Sequence, residues 1–243
     1  AGHANWRAHR VAAGLLRPGV RPVDLEAAIS ASLRRSGAEP LFQGVVGHSG
    51  SPYPAVSCIS VNEGAVHGIP GTSPLRSGDV VSIDLGCRLA GWCADSAETH
   101  IVGMGRPRDI QLVNATRATL DLAIRATATS RCWSDVVQQV ASFLHGAGFQ
   151  LIPTVFGHGI GEELHEAPQV ALAFDIPMAE FQDFELKPGI VFTIEPVLTT
   201  GNGSLRVADD GWTLETADGH PAAHCEHTIA LTTAAPRILT RGP

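Results

Sequence analysis

Five side chains that can bind a metal ion or move a proton stand in apolar or glycine-rich stretches of the chain. Four are carboxylates and one is an imidazole: Asp84, Asp95, His158, Glu195 and Glu226. Their surroundings indicate burial, and buried carboxylates that lie close together repel one another. Because the arginine and lysine residues lie outside these segments, a shared site needs another source of positive charge.

Two divalent metal ions would balance the four negative charges of such a site. Ions about 3.5–4 Å apart, bridged by carboxylates and water, are typical of hydrolytic centres. Oxygen ligands with one imidazole favour Mn²⁺, Fe²⁺, Co²⁺ or Zn²⁺ over Ca²⁺ or Mg²⁺. Taken singly, each residue is more simply explained as a turn cap, a solvated acid or a loop histidine. Only the set together predicts a dinuclear metal site.

An internal repeat relates two helical segments of the chain. Residues 23–37 and 134–148 both carry apolar residues at i, i+4 and i+8 and end in a glycine, and the paired positions differ by 111. This spacing predicts two amphipathic helices, each with a serine or aspartate at its N-cap and a glycine stop.

The same offset of 111 relates two strand segments that end in a carboxylate. Residues 75–84 and 186–195 each contain a glycine turn followed by a β-branched strand, so that Asp84 corresponds to Glu195. A third similarity has an offset of 110 and relates Val46-Gly47-His48 to Phe156-Gly157-His158. Three similarities in one order indicate two related halves rather than chance.

The repeat predicts two pseudo-symmetric halves with helices outside, antiparallel strands inside and a site where the halves meet. Asp84 and Glu195 then face each other across this seam. Asp95 follows Asp84 by eleven residues, which suits a hairpin that returns Asp95 toward Asp84. Glu226 opens an apolar stretch that we expect to be the final strand. No linker or low-complexity tract interrupts the sequence, which favours a single domain over residues 1–243.

The composition excludes several other classes of function. The 17 basic and 24 acidic residues give a net charge of −7, and Lys187 is the only lysine, so we expect neither nucleic acid nor an anionic membrane as a partner. Five scattered cysteines without a CxxC pair argue against a disulfide framework. The sequence has no apolar run of the roughly 20 residues that span a membrane. The N-terminus lacks a secretion signal, which favours a cytoplasmic location.

Five motifs, in order and over most of the chain, resemble those of the type I methionine aminopeptidases. They are SCISVNEGAVHGIP at 57–70, IDLG at 83–86 followed by Asp95, GHGIGEELHEAPQV at 157–170, FTIEP at 192–196 and EHT at 226–228. The resemblance implies an α+β pita-bread fold and two divalent ions, Co, Mn, Fe or Zn. It also implies a monomer that removes the initiator methionine from nascent polypeptides at the ribosome.

The resemblance also implies a role for each of the five candidate ligands. Asp84 matches a terminal ligand of one metal ion, and His158 and Glu195 match ligands of the other. Asp95 and Glu226 match the bridging carboxylates. A water or hydroxide that bridges the two ions would attack the peptide carbonyl, with Glu195 as general base.

Two further histidines match non-ligand residues of the family. The resemblance implies that His165 donates a hydrogen bond to the scissile carbonyl and stabilises the developing oxyanion. It implies that His67 contacts the peptide nitrogen beyond that carbonyl. Outside the motif, His67 would be explained equally well as an exposed loop histidine.

A pocket for a single thioether side chain must be apolar and closed at its far end. The residues that match its lining are Tyr53, Cys58, Leu164 and Trp212. The chain departs from the family pattern in a longer loop over residues 44–53, in Val45 where a tyrosine is expected, and in Leu164 where a phenylalanine or methionine is usual. These differences predict a wider pocket and a less strict preference for methionine. His48, in the same loop, is interpreted as a loop residue.

Three other functions fit parts of the same pattern. An X-prolyl aminopeptidase or prolidase shares the five ligands, although such enzymes usually carry an additional N-terminal domain. A pita-bread protein that binds partners without catalysis would retain the fold but not the complete ligand set. A second, specialised copy of the housekeeping enzyme would be indistinguishable by sequence.

Overall fold

The computed structural model describes residues 1–47, 50–176 and 180–242, and in these parts it contains four helices and fifteen strands. The helices are α1 (Gly2–Leu15), α2 (Pro22–Arg35), α3 (Pro107–Ala126) and α4 (Trp133–Leu144). The strands are β1 (Glu39–Pro40), β2 (Cys58–Val61), β3 (Gly64–Val66), β4 (Val80–Leu89), β5 (Trp92–Ile101), β6 (Gln150–Leu151), β7 (Gly157–Gly159), β8 (Glu166–Val170), β9 (Val191–Ile194), β10 (Val197–Thr199), β11 (Leu205–Val207), β12 (Leu214–Thr216), β13 (Ala222–His224), β14 (His227–Ala230) and β15 (Arg237–Ile238). None of the described helices is long and apolar enough to cross a membrane.

The strands form four antiparallel sheets rather than one continuous sheet. In the first half, β4 pairs with β1, β2 and β5. In the second half, the order is β15-β14-β9-β7-β8. The two remaining sheets have three strands each, in the orders β13-β10-β6 and β11-β12-β3. In the latter sheet β3 of the first half pairs with β12 of the second half.

The helices form one packed pair in each half. Helix α1 packs against α2 and also against β4 and β5, whereas α3 packs against α4 and against β10 and β13. The apolar residues of the repeat lie at equivalent places in the two cores: Leu25 and Val136 are fully buried, as are Ile29 and Val140. Burial of such side chains stabilises each half by about 1.5–3 kcal/mol per residue.

The predicted N-caps of the two repeated helices are wrong. The N-cap residues are Arg21 and Cys132, and the aspartates lie three residues further on. The Asp24 carboxylate accepts a hydrogen bond from the Arg21 N–H (3.3 Å), and the Asp135 carboxylate accepts one from the Cys132 N–H (3.0 Å). An acid at this position serves the helix N-terminus from inside the first turn, so it removes the need for a serine or aspartate at the cap.

Two expectations about strand ends are also wrong. Asp84 lies in the middle of β4, because β4 continues to Leu89 through its pairing with β5. The two strands are joined by Ala90 and Gly91, which both have positive φ angles (52° and 83°), as a tight two-residue hairpin requires. Glu226 directly precedes β14, but β14 is not the final strand, since β15 pairs with it.

Candidate metal centre

Asp84 and Asp95 reach the site from the two strands of one hairpin. In the β4–β5 register Asp95 lies opposite Gly86, and Asp84 precedes Gly86 by two residues. Side chains two residues apart point to the same face of a strand, so both carboxylates project from one face of the hairpin. The hairpin therefore returns Asp95 to Asp84, as the spacing of eleven residues predicts.

Glu195 and Glu226 come from the second half, at the end of another antiparallel pair. Ile194 of β9 lies opposite His227 of β14, and the two glutamates are the next residues along this ladder. Thr193 fixes the site from the adjacent position. Its hydroxyl donates to Glu195 Oε1 (3.1 Å) and accepts a hydrogen bond from the backbone N–H of His158 (3.1 Å).

The two halves meet where β5 lies alongside the segment that leads into β14. Ala97 and Glu226 exchange backbone hydrogen bonds (2.9 and 3.3 Å). Two residues away, the Thr228 hydroxyl donates a hydrogen bond to the Asp95 carbonyl oxygen (2.7 Å). The same hydroxyl oxygen accepts a hydrogen bond from the Asp95 backbone N–H (2.9 Å). This seam brings Asp95 of the first half to Glu226 of the second.

Three of the candidate ligands converge closely enough to hold one ion. Ligand atoms of Asp95, His158 and Glu226 all lie within 4.8 Å of one another. The His158 Nδ1 lies 2.9 Å from the carbonyl oxygen of Gly159. Since a carbonyl only accepts hydrogen bonds, Nδ1 carries the hydrogen, and the Nε2 lone pair is free for a cation. That Nε2 lies 4.0 Å from Glu195 Oε1.

The electrostatics of the four carboxylates indicate that a cation belongs among them. Burial raises the pKa of Asp95 to about 7 and, together with the Asp95 charge, raises the pKa of Glu195 to about 8. Burial and the neighbouring acids raise the pKa of Asp84 and Glu226 well above their usual range. No arginine or lysine of the described residues forms an ion pair with any of the four.

Unpartnered polar atoms provide a second sign that the residues fit metal ions. One oxygen each of Asp84, Asp95 and Glu226 is buried without a hydrogen-bond partner. Buried polar atoms normally find such partners, and an unsatisfied carboxylate oxygen is costly. Oxygen donors of this kind, with one imidazole, suit divalent ions of the first transition row.

All eleven residues predicted for the site line a single cavity of about 660 Å³. His67 and His165 are exposed side chains of this cavity, and the His165 ring packs edge-on against His158 with centroids 4.3 Å apart. His67 has a positive φ of 58°, a conformation uncommon outside glycine, which directs the chain sharply after β3. His48 lies outside the described residues, so the third sequence similarity is only partly described.

An apolar wall closes one side of the cavity. The Tyr53 and Trp212 rings meet edge-to-face with centroids 5.1 Å apart, and the Tyr53 hydroxyl donates to the Gly68 carbonyl (2.8 Å). Cys58 is buried beside Tyr53, and Leu164 lines the same cavity. Val45 lines it too but is 44% exposed.

Phe42 is a wall residue that sequence reasoning missed. It packs with Tyr53 and Cys58, and a methyl group on Gly86 would lie 2.8 Å from its ring. The same position is 3.4 Å from Leu164, so Phe42 and Leu164 close over the bare backbone of Gly86. Phe42 stands in an irregular loop without periodicity, where only its large apolar side chain could have drawn attention.

Comparison with known proteins provides the decisive observation. The model of metallopeptidase family M24 matches residues 1–233. The chain belongs to metallopeptidase family M24. Membership in this family confirms the resemblance predicted from the motifs and indicates the use of divalent metal.

Relatives within the M24 family are similar over nearly the whole chain. Methionine aminopeptidase 1 of Mycobacterium tuberculosis is 40% identical over 246 residues, which cover 98% of this chain and 88% of the relative. Methionine aminopeptidase 1 of Bacillus subtilis is 35% identical over 226 residues, covering 93% of this chain and 88% of the relative.

Solved structures confirm the predicted pita-bread fold of this M24 protein. The crystal structure of methionine aminopeptidase from Thermotoga maritima superposes with a TM-score of 0.90 and 34% identity, and the match covers 100% of this chain and 94% of that one. Prolidase from Pyrococcus furiosus has a TM-score of 0.76 and 19% identity, with 62% of its chain covered. The likeness to prolidase is a likeness of fold alone.

Proposed function

We propose that this protein is a metal-dependent aminopeptidase that removes the N-terminal methionine from nascent proteins and peptides. The observation that carries the proposal is the convergence of Asp95, His158 and Glu226 within 4.8 Å in a cavity that also contains Asp84 and Glu195. The M24 relatives that match nearly the whole chain are named methionine aminopeptidases.

The proposed centre holds two divalent ions, with Co, Mn, Fe and Zn as candidates. Asp84 would be a ligand of one ion, His158 and Glu195 would be ligands of the other, and Asp95 and Glu226 would serve both. The buried, unpartnered oxygens of Asp84, Asp95 and Glu226 support this assignment. Ions bound there would neutralise the carboxylates, polarise the peptide carbonyl and lower the pKa of water toward about 7.

Glu195 is suited to accept the proton of the attacking water. Its Oε1 accepts the hydrogen bond of the Thr193 hydroxyl, which fixes the orientation of the carboxylate. Such positioned general bases contribute about 10²–10⁴-fold to a rate.

His165 and His67 would act on the peptide itself. Both side chains are exposed in the cavity, and His165 packs against the ligand His158. In this position His165 can donate to the scissile carbonyl oxygen as negative charge develops there. His67 would hold the nitrogen of the following residue.

The apolar wall explains how an exopeptidase would select one side chain. Tyr53, Cys58, Leu164 and Trp212 would enclose the methionine side chain, with Phe42 closing the wall beside Leu164. Burial of a thioether side chain in such a pocket contributes roughly 1.5–3 kcal/mol. Leu164 and the exposed Val45 leave room for a preference broader than methionine alone.

The same proposal extends to the setting of the reaction. The substrates would be N-termini of nascent chains at the ribosome, and the protein would act as a cytoplasmic monomer with one catalytic domain over residues 1–243. Sequence identity supports a methionine aminopeptidase over a prolidase, because the chain is 35% and 40% identical to relatives named methionine aminopeptidase 1 and 19% identical to the two prolidase structures.

An activity panel tests the proposed function. Metal-free protein is assayed on Met-Ala-Ser and on X-Pro peptides after addition of Mn²⁺, Fe²⁺, Co²⁺ or Zn²⁺. We expect no turnover without metal and release of free methionine with at least one ion. Cleavage of the X-Pro peptides alone would indicate the prolidase-like function. Metal-independent partner binding without turnover would indicate the non-catalytic alternative.

A further inference from the structure

His224 is a buried histidine beside the metal centre to which neither the motifs nor the proposed mechanism gives a role. It is the last residue of β13 and is 2% exposed. Its backbone is held on both sides, since the His224 N–H donates to the Thr99 hydroxyl oxygen (2.8 Å) and its carbonyl accepts from the same hydroxyl (2.6 Å). Pairing with Val197 of β10 fixes it further. The ring therefore projects from a rigid backbone position.

The ring points at two of the proposed metal ligands at once. His224 Nε2 lies 4.0 Å from Glu195 Oε2 and 4.0 Å from Glu226 Oε2. The nitrogen is buried and has no hydrogen-bond partner. Glu195 presents to this imidazole edge the oxygen that does not accept the Thr193 hydrogen bond, because the Thr193 hydroxyl donates to Oε1.

We propose that His224 is a positioning residue that donates a hydrogen bond from Nε2–H to the Oε2 atoms of Glu195 and Glu226 in the metal-loaded protein. The inference rests on the proposed function, because it assumes that these glutamates bind metal. A shift of about 1 Å brings the present separations into hydrogen-bond range. Donors behind ligating carboxylates fix their orientation, and loss of such a donor typically costs roughly 10–100-fold in metal affinity or activity.

Substitutions at residue 224 separate a donor from a merely packed ring. His224→Met fills a similar volume without an N–H, whereas His224→Gln keeps an amide N–H at a similar reach. We expect His224→Met to lower Mn²⁺ affinity roughly 10–100-fold by titration calorimetry and to lower kcat on Met-Ala-Ser with little change in KM. We expect His224→Gln to restore both quantities to near the wild-type values.

His9 provides a matched control for the loss of a buried imidazole. Like His224, it is buried and has one ring nitrogen without a hydrogen-bond partner. Its other ring nitrogen lies 3.0 Å from the Ser96 carbonyl oxygen, where α1 packs against β5. We expect His9→Met to lower the melting temperature without weakening Mn²⁺ binding. If His224→Met does not fold, His224→Asn takes its place, because its shorter amide cannot reach the glutamates.

The outcomes distinguish this inference from the proposed function. Wild-type Mn²⁺ affinity in folded His224→Met, or an equal loss in His224→Gln and His224→Met, would overturn the role of His224 while leaving the function intact. A wild-type protein that binds no divalent ion would overturn the proposed function and the inference together. Rescue by His224→Gln alone supports the hydrogen bond.

Discussion

Glu195 differs from the other three carboxylates of the site in having a hydroxyl that orients it. The Thr193 hydroxyl holds Oε1, and the same hydroxyl oxygen holds the backbone of His158. One threonine therefore sets the relative position of the proposed base and of the only imidazole among the proposed ligands. A carboxylate held in this way is prepared for proton transfer before substrate arrives.

Glu195→Gln tests the proposed base. Glutamine keeps the size of the side chain and the acceptor for Thr193 but cannot take up a proton. At saturating metal we expect kcat on Met-Ala-Ser to fall roughly 10²–10⁴-fold. The melting temperature of the metal-free variant should not fall, because the substitution removes a buried carboxyl group whose charged form is disfavoured by burial and by Asp95. A variant with wild-type kcat would show that another group is the base.

His165→Ala tests the proposed contact with the scissile carbonyl. Removal of one oxyanion donor typically lowers kcat by roughly 10²–10³-fold, with a smaller effect on KM. Because His165 is exposed, its loss should leave thermal unfolding unchanged. Steady-state kinetics on Met-Ala-Ser provide the measurement, and full retention of activity would contradict the assigned role.

The sequence was most informative about individual residues that belong to motifs. The five candidate ligands, the two histidines and four wall residues all line one cavity. Phe42 and His224 were missed for different reasons. Phe42 lies in an irregular loop, and His224 ends a three-residue strand, where no periodicity marks a side chain as facing a site. Only the three-dimensional pairing of β13 with β10 reveals its direction.

At the scale of elements, the repeat was a reliable guide to helices and strands but not to their ends. Helix α2 begins and ends within two residues of its predicted segment, whereas α4 begins one residue early and ends at Leu144, four residues before the predicted glycine stop. The order of the sheets depends on partners far away in sequence, such as β14 against β5. Local patterns carry no information about such partners.

Asp135→Ala tests whether the Asp135 carboxylate stabilises the first turn of α4. The Asp135 carboxylate accepts hydrogen bonds from the backbone N–H groups of Arg131 and Cys132, both at 3.0 Å. We expect its loss to reduce the free energy of unfolding by about 1 kcal/mol, measured in urea, without a change in kcat. Asp135→Asn keeps an acceptor and should lose less. Equal stability of the alanine variant would show that the cap contributes nothing.

At the scale of the whole molecule, the site exists only because two halves meet. Each half supplies its own carboxylates, and hydrogen bonds between β5 and the β14 segment join them. Folding therefore concentrates negative charge that the unfolded chain keeps apart. Within the described part of the protein no arginine or lysine forms an ion pair with these acids, so the acids retain protons and the stability of the metal-free chain depends on pH.

The pH dependence of unfolding follows from the raised pKa values of the acids. The folded state holds protons on Asp95 up to a pKa of about 7 and on Glu195 up to about 8, whereas the unfolded chain has released them. The folded state therefore binds more protons, and stability falls as pH rises through these values. Buried His9, His158 and His224, with pKa lowered to about 4, 4 and 3, are neutral in this range.

We expect metal-free protein to lose free energy of unfolding between about pH 6.5 and pH 8, measured in urea at each pH, because the histidines of the unfolded chain are largely neutral above about pH 6.5 and the raised pKa of Glu195 is about 8. Saturating Mn²⁺ should abolish this decline, because bound cations keep the carboxylates ionised in the folded state. A metal-free protein whose stability rises across the same interval would contradict the electrostatic argument.

An anomalous-diffraction map of crystals grown with excess Mn²⁺ tests the proposed dinuclear centre. This centre predicts two anomalous peaks about 3.5–4 Å apart among Asp84, Asp95, His158, Glu195 and Glu226. A map without a peak there, with the four acids turned toward solvent, would contradict it.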